Sequence, residues 1–474
     1  MLDPHPDTPA PAGLRRVLGP VTGAAIVAGT VIGTGVFIKP AAMAQAVGDS
    51  GLVLLAWIVA GVLSLAGALT YAELGARLPH AGGEYVYLRE AYGRPAAFLF
   101  GWMRFWVASP GSVAVFAVAA AKFTATTGPL AELPGGQAAL ALFFIALFTA
   151  TNCMAVALGA RLQTLLTALK VVIIVGLGVA LFVLAGSAGA PPPSAPVAPR
   201  AFDLSTFGTA VIAALWAFDG WNNLAMVGGE IRDPRRNIPR ALILGMAVVA
   251  ALYLFANFAY FHVLGVDDVA ASYSSANQYA LPVATKALLT AMGPSSSWAT
   301  SAVAIVSVLL VVSALGAMNG SIMTGARVPY AMARDRLVPA ALGRVSRHGG
   351  SPVAAVVAQG VVAAILAVSG TFDQLTDAVV FASWVFYAMC TSAVFRLRRR
   401  FPTAPGTFLT PLYPILPIVF IAVAALLLVN TIVTSPALSA LGLGVVALGV
   451  PTYLVIRRHV PAAPASETPP FSDT

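Results

Sequence analysis

Apolar stretches of bilayer-spanning length follow one another along this chain from Pro20 to Ile456. A helix needs about twenty such residues to cross the hydrocarbon layer, at about 1.5 Å of rise per residue. Twelve spans are read, near 20–47, 52–76, 95–121, 137–158, 161–186, 204–229, 239–264, 297–330, 353–369, 376–397, 413–432 and 435–456. Hydrophobic residues make up 59% of the 474 and charged residues 9%, and no polar stretch is long enough to fold a soluble domain. The chain therefore reads as an all-α polytopic membrane protein.

The net charge of +9 does not indicate a nucleic-acid partner. The basic residues lie in short loops, where they set topology. They cluster in alternate loops: Arg15 and Arg16; Arg77, Arg89 and Arg94; Arg232 to Arg240; Arg334 to Arg347; Arg396 to Arg400; Arg457 and Arg458. The positive-inside rule then puts both termini in the cytoplasm, and an even number of spans agrees. Residues 1–19 form a polar cytoplasmic tail without a cleavable signal pattern, and 459–474 form a second tail. Cys153 and Cys390 fall in apolar segments and read as buried thiols.

Within the first span lies Gly29-Thr30-Val31-Ile32-Gly33-Thr34-Gly35. Each glycine weakens a helix by about 1 kcal/mol relative to alanine. A lone GxxxG is most simply a packing motif. Two further features favour a helix broken near the midplane instead: a matching break later in the chain, and buried charges. A second half-helix starting near Thr34-Gly35 presents free N–H groups and a positive dipole end to a carboxylate. The first half, ending near Val31, presents free carbonyls to an ammonium. One break thus offers both halves of an amino-acid zwitterion site.

The matching break is Trp216-Ala217-Phe218-Asp219-Gly220-Trp221-Asn222-Asn223 in span six. Asp219 lies about 22 Å along a helix begun at Leu204. An intramembrane carboxylate beside Gly and Asn faces the bundle interior, and paired breaks point to a transporter's central site. The Pro-rich connector 187–203 separates residues 20–186 from 204–397. Five spans per half make the repeat inverted, with spans eleven and twelve (398–458) outside it. Lys170 sits about 13 Å into span five from Arg161, too deep for easy snorkelling. Glu73 and Arg104 read as structural partners, and Glu230 with the following arginines as an inner gate or topology anchor.

The segments GTVIGTGVFIKP (29–40), AGALTYAELGARLPHAGGEYVYLREAYG (66–93), SPGS (109–112), WAFDGWNNL (216–224), GGEIRDPRRNIPRA (228–241) and MNGSIMTGAR (318–327) carry a resemblance. The chain resembles the L-type amino acid transporter branch of the amino acid–polyamine–organocation superfamily, especially its bacterial members. The resemblance implies a LeuT-type fold of five plus five inverted helices within twelve, with helices one and six unwound. It implies that Gly33, Thr34 and Gly35 hold the substrate carboxylate, and that carbonyls of Val31, Trp216 and Asp219 hold the amine. Trp216 takes the place of a gating Phe. Lys170 takes the place of a sodium ion, linking helix one to span eight. Asn319, Ser321 and Ser383 are implied for the side-chain pocket. Animal relatives join a heavy subunit through a Cys between spans three and four. None stands between Phe123 and Gly136 here, so no disulfide-linked partner is expected.

The function read from these features is sodium-independent exchange of neutral L-amino acids by alternating access in the cytoplasmic membrane. The alternatives are a proton-coupled symporter or facilitator of the same fold, with cationic amino acids or polyamines as substrates, and more remotely a non-transporting sensor. No metal, cofactor or enzyme chemistry is expected: the five histidines are scattered, and no nucleophile or paired-carboxylate constellation lies in the spans.

Overall fold

The computed structural model describes residues 13–125, 135–187, 202–273, 282–292, 299–369, 372–403 and 405–459. Helices run in the order α1 (Pro20–Val31), α2 (Gly35–Val47), α3 (Ser50–Arg77), α4 (Glu84–Tyr92), α5 (Arg94–Met103), α6 (Ser109–Ala125), α7 (Gly136–Met154), α8 (Val156–Ser187), α9 (Leu204–Ala217), α10 (Asn223–Met226), α11 (Pro234–Val263), α12 (Val266–Ala270), α13 (Val283–Met292), α14 (Ala299–Gly325), α15 (Arg327–Arg334), α16 (Val353–Ser369), α17 (Phe372–Arg400), α18 (Ile415–Thr434) and α19 (Pro436–His459). Among the described residues nine spans are long and apolar enough to cross a membrane, and the α1–α2 pair, bent by 45°, makes a tenth. Reaching the expected twelve requires counting the shorter α9, continued by α10, and α16. The short helices α4, α12 and α13 had no signature among the apolar runs. The connector 187–203 and the tails fall largely outside the described residues, as does the Cys-free loop after span three.

The spans begin and bend where the local chemistry requires it. Asp49 caps α3 by accepting from Leu52 N at 2.8 Å, and Asp203 caps α9 by accepting from Thr206 N at 2.9 Å. In the third span, α5 and α6 are joined by a π turn over Arg104–Ala108. Pro110 lies just beyond it; proline has no N–H and its ring crowds the carbonyl four residues back, so the helix widens here. The third span is central, with 67% of its most apolar window buried, against 17% for the last span. The bare apolar flanks of the last spans, with Leu426, Val433 and Leu448 each more than 60% exposed, face the bilayer hydrocarbon.

Both breaks fall where the glycines place them. α1 ends at Val31 and α2 begins at Gly35. α9 ends at Ala217 and α10 begins at Asn223, with Gly220 at φ 113° between them. A Cβ on Gly220 would stand 3.1 Å from the Thr30 carbonyl oxygen, so the two breaks touch only because this residue has no side chain.

At the arginine-rich end, carboxylates tie separate helices together. Glu73 is fully buried in α3. It accepts from Arg77 Nε at 2.9 Å, Arg398 Nη2 at 2.6 Å, and Thr410 N and Oγ1 at 2.8 Å each. The loop arginines thus supply the partners expected for it. Leu18 adds a two-bond bridge to the segment after α10, through Glu230 O and Arg232 N. Glu73→Ala leaves two guanidinium groups without their shared carboxylate. It is expected to cost about 3 kcal/mol, read as a lower thermal unfolding midpoint of the purified protein.

Candidate functional site

The unwound backbone of the first span is held by side chains from three other helices. Lys170 in α8 is completely buried; its Nζ donates to Gly29 O at 2.8 Å and Ile32 O at 2.6 Å. The lysine stem lies against Gly316 of α14, where a Cβ would come within 2.6 Å of Lys170 Cε. Ser313, one turn away on α14, has its hydroxyl 3.1 Å from Ile32 O and 2.9 Å from Gly33 O. Lys170 therefore caps the broken end of α1 and packs on the eighth span.

Tyr253 of α11 joins the two breaks. Its hydroxyl lies 3.0 Å from Val31 O and 2.9 Å from Ala217 O. Thr30 Oγ1 lies 3.0 Å from Gly220 O and also reaches Ile26 O and Val27 O in its own helix. Tyr253 reads as an ordinary aromatic in sequence; only the crossing of the breaks reveals its place. Gln163 and Thr167 of α8 continue this lining, with Thr167 Oγ1 donating to Ala25 O at 2.9 Å.

Of the groups expected at the substrate, Gly33, Thr34 and Gly35 lie together at the start of α2, all buried. Gly33 N donates to Val31 O at 2.8 Å, so its N–H is already used within the break. The Thr34 side chain makes no capping bond, while Phe37 N in the first turn of α2 donates to Thr34 O at 3.1 Å. Val31 O is engaged by Gly33 N and lies within reach of Tyr253; Trp216 O accepts from Asp219 N at 3.3 Å. Trp216 is 38% exposed at the open side of the break, with Lys39 Nζ 4.2 Å above its ring.

A polar cavity of about 30 Å³ opens beside the second break. It is lined by Asp219, Asn222, Asn223, Arg104, Ser109 and Ser321, among others. The π turn explains the supply: it turns Arg104 and the Ser109–Ser112 segment inward. Arg104 Nη2 donates to Asn223 Oδ1 at 2.9 Å, while its Nε and Ser109 Oγ are buried without a hydrogen-bond partner. Tyr387 of α17 is hydrogen-bonded to Asp219. Ser321 thus faces the cavity. Asn319 does not: it donates to Gly159 O at 3.1 Å and Gln163 Oε1 at 2.8 Å and accepts from Asn152, stitching α14 to α7 and α8. Ser383 is not among the lining residues; its Oγ lies 4.0 Å from Met103 Sδ.

Toward the arginine-rich end Glu230 and Arg327 form a buried ion pair, 0% and 1% exposed. Arg327 Nε and Nη2 donate to the two carboxylate oxygens at 2.6 and 2.9 Å. Nearby, Arg89 Nη1 donates to both oxygens of Asp335 at 2.8 Å. The sequence marked Glu230 but gave Arg327, near the end of span eight, no role of its own. Among the described residues no cluster of three or more metal-ligating side chains occurs.

The amino acid permease family profile matches residues 18–450. The chain belongs to that family. It is 31% identical over 453 residues to the serine/threonine exchanger SteT of Bacillus subtilis, covering 94% of this chain and 98% of that one. It is 30% identical over 435 residues to b(0,+)-type amino acid transporter 1 of Rattus norvegicus, covering 91% and 86%. It is 29% identical over 471 residues to large neutral amino acids transporter small subunit 2 of Rattus norvegicus, covering 97% and 85%. The resemblance read from the motifs is borne out at full length. The permease is a multi-pass membrane protein of this family.

Two outcomes follow from the site. Lys170→Ala removes the donor to two break carbonyls, and transport is expected to fall at least about tenfold, some 1.4 kcal/mol of barrier, with normal amounts in the membrane. Tyr253→Phe deprives two buried carbonyls of their shared donor. A loss of about 1–3 kcal/mol is expected, measured as a lower midpoint of thermal unfolding.

Proposed function

We propose that this permease is a sodium-independent exchanger of neutral L-amino acids, cycling by alternating access in the cytoplasmic membrane with both termini inside. One observation carries the reading: a completely buried lysine, Lys170, donates from Nζ to Gly29 O and Ile32 O. A fixed donor bonded there leaves those carbonyls no need of a mobile sodium ion. The relatives named above are an exchanger and two amino acid transporters, which supports the same conclusion.

The substrate carboxylate meets the N–H groups of Gly33, Thr34 and Gly35 and the Thr34 hydroxyl at the positive end of α2. The ammonium meets the carbonyls of Val31, Trp216 and Asp219, taking over acceptors that the empty site satisfies internally. Trp216 closes over the site from outside. Ser321 lines the side-chain pocket, which Asn319 and Ser383 border from behind. Residues 20–186 and 204–397 move as the two inverted repeats, with 398–458 beside them. The Glu230–Arg327 pair opens when the inner half of helix six swings away. The permease works without a disulfide-linked heavy subunit.

The test is uptake of labelled L-serine into proteoliposomes, with and without internal unlabelled L-serine, varying sodium and pH gradients separately. Uptake confined to loaded vesicles and unchanged by sodium is expected. Equal uptake into empty vesicles driven by an inward proton gradient sinks the exchanger reading in favour of symport.

A further inference from the structure

Three carboxylates are fully buried toward the arginine-rich side, and one differs from the others. Glu73 and Glu230 each have bidentate or multiple guanidinium partners. Glu84, equally buried, has none: among the described residues no Arg or Lys nitrogen lies within 4.0 Å of its carboxylate. Its Oε1 accepts from Tyr71 Oη at 3.0 Å and its Oε2 from Asn222 Nδ2 at 3.1 Å.

The chain is shaped to put it there. Gly82 and Gly83 have φ of 95° and 42°, a turn that L side chains resist. Gly82 N donates to Met226 O at 2.8 Å, and a Cβ on Gly83 would collide with the Ala225 backbone. The turn therefore seats the start of α4 against α10 and drives Glu84, the first residue of α4, under the break in helix six. α4 is not part of any span, so this loop residue reaches the interior from outside the spanning segments.

The groups facing Glu84 come from every element around it. They are Tyr71 of α3, Tyr87 of its own helix, Arg104 of the π turn, Asp219 and Asn222 of the helix-six break, and Tyr387 and Cys390 of α17. Arg89 and Glu90 of α4 pair with Asp335 and with each other elsewhere. The buried cluster thus holds two carboxylates, Glu84 and Asp219, against one guanidinium, and Arg104 spends its bond on Asn223. With both acids ionised, one negative charge is left uncompensated in a low-dielectric interior, which is costly.

We propose that Glu84 is a buried proton-binding site of this permease. A proton added to Oε1 converts the carboxylate to a carboxyl whose O–H donates to Tyr71 Oη, while Asn222 still donates to Oε2; charge in the cluster then balances. Loss of that proton to water restores the carboxylate and tightens the Asn222 bond, which ties α4 to the inner half of helix six. Burial pushes the Glu84 carboxyl up to about 7, against the opposing pull of Arg104, Asn222 and Tyr71. The neutral form therefore prevails below that pH and the charged form above it. Asp219 lies beside Arg104 and accepts from the Tyr387 hydroxyl.

The site is read directly by infrared difference titration of the purified permease from about pH 5 to about pH 9. The carbonyl stretch of a protonated buried carboxyl is expected to vanish with a midpoint near neutrality. It should be missing in Glu84→Gln and kept in Asp219→Asn. Tyr71→Phe removes a donor to the carboxylate and should raise the midpoint, which tests the assignment even if Glu84→Gln fails to fold. A band that survives in Glu84→Gln, a wild type with no such band, or a midpoint unmoved by Tyr71→Phe overturns the proposal. A second readout rests on the exchange reading above: L-serine exchange at equal pH on both sides should fall several-fold from about pH 6 to about pH 8 in wild type and stay within about twofold in Glu84→Gln. A permease that does not exchange L-serine leaves the infrared outcome intact, so the two readings fail separately.

Discussion

Backbone that leaves a helix inside a membrane has no water to turn to, and this requirement organises the whole bundle. Two helices unwind at its centre, and almost every buried polar side chain nearby is spent on their loose carbonyls. Lys170, Ser313, Thr30, Thr167 and Tyr253 come from four different helices, and all reach backbone oxygens of α1 or the helix-six break. The glycines at the crossing exist for the same reason, since the breaks must approach within contact distance. The surrounding spans supply little beyond packing and a lipid-facing exterior.

The larger features were legible because hydrocarbon imposes them on sequence. Apolar runs gave the spans to within a few residues, and the glycine cluster placed the first break between Val31 and Gly35. Lys170 stood out because a lysine so deep needs several partners. What stayed hidden depended on contacts between distant segments. Tyr253 in span seven looks like any interfacial aromatic. Glu84 sits in the stretch between spans two and three, where charges normally meet water, and Arg327 sits near the inner end of span eight; only the fold shows both to be buried. Asn319 looks like a pocket residue, yet three of its atoms' neighbours lie on α7 and α8. The short helices α4, α12 and α13 are too brief to leave a periodic signal.

Charge is distributed by rank. At the arginine-rich end, buried carboxylates meet guanidinium groups, two at Glu73 and one at Glu230, and hold elements together. Near the breaks this pairing lapses. Arg104, brought inward by a π turn that Pro110 imposes, serves an amide oxygen and leaves Nε unpaired. Bundles that change shape cannot lock every polar group, and the unmatched ones here sit beside the segment of helix six that has least helical structure.

The hydroxyl of Tyr253 has one hydrogen, and two carbonyls wait for it. Thr30 and Ser313 are in the same position, each with a single proton and two or three acceptors in range. Every break carbonyl still finds a donor when Tyr253 turns to Ala217 O, Ser313 to Gly33 O and Thr30 to Gly220 O, because Gly33 N serves Val31 O and Lys170 serves Gly29 O and Ile32 O. An ammonium brings three N–H bonds at once. The crossing has about one donor for each loose carbonyl, so an added ammonium there would free a hydroxyl to turn to its other acceptor.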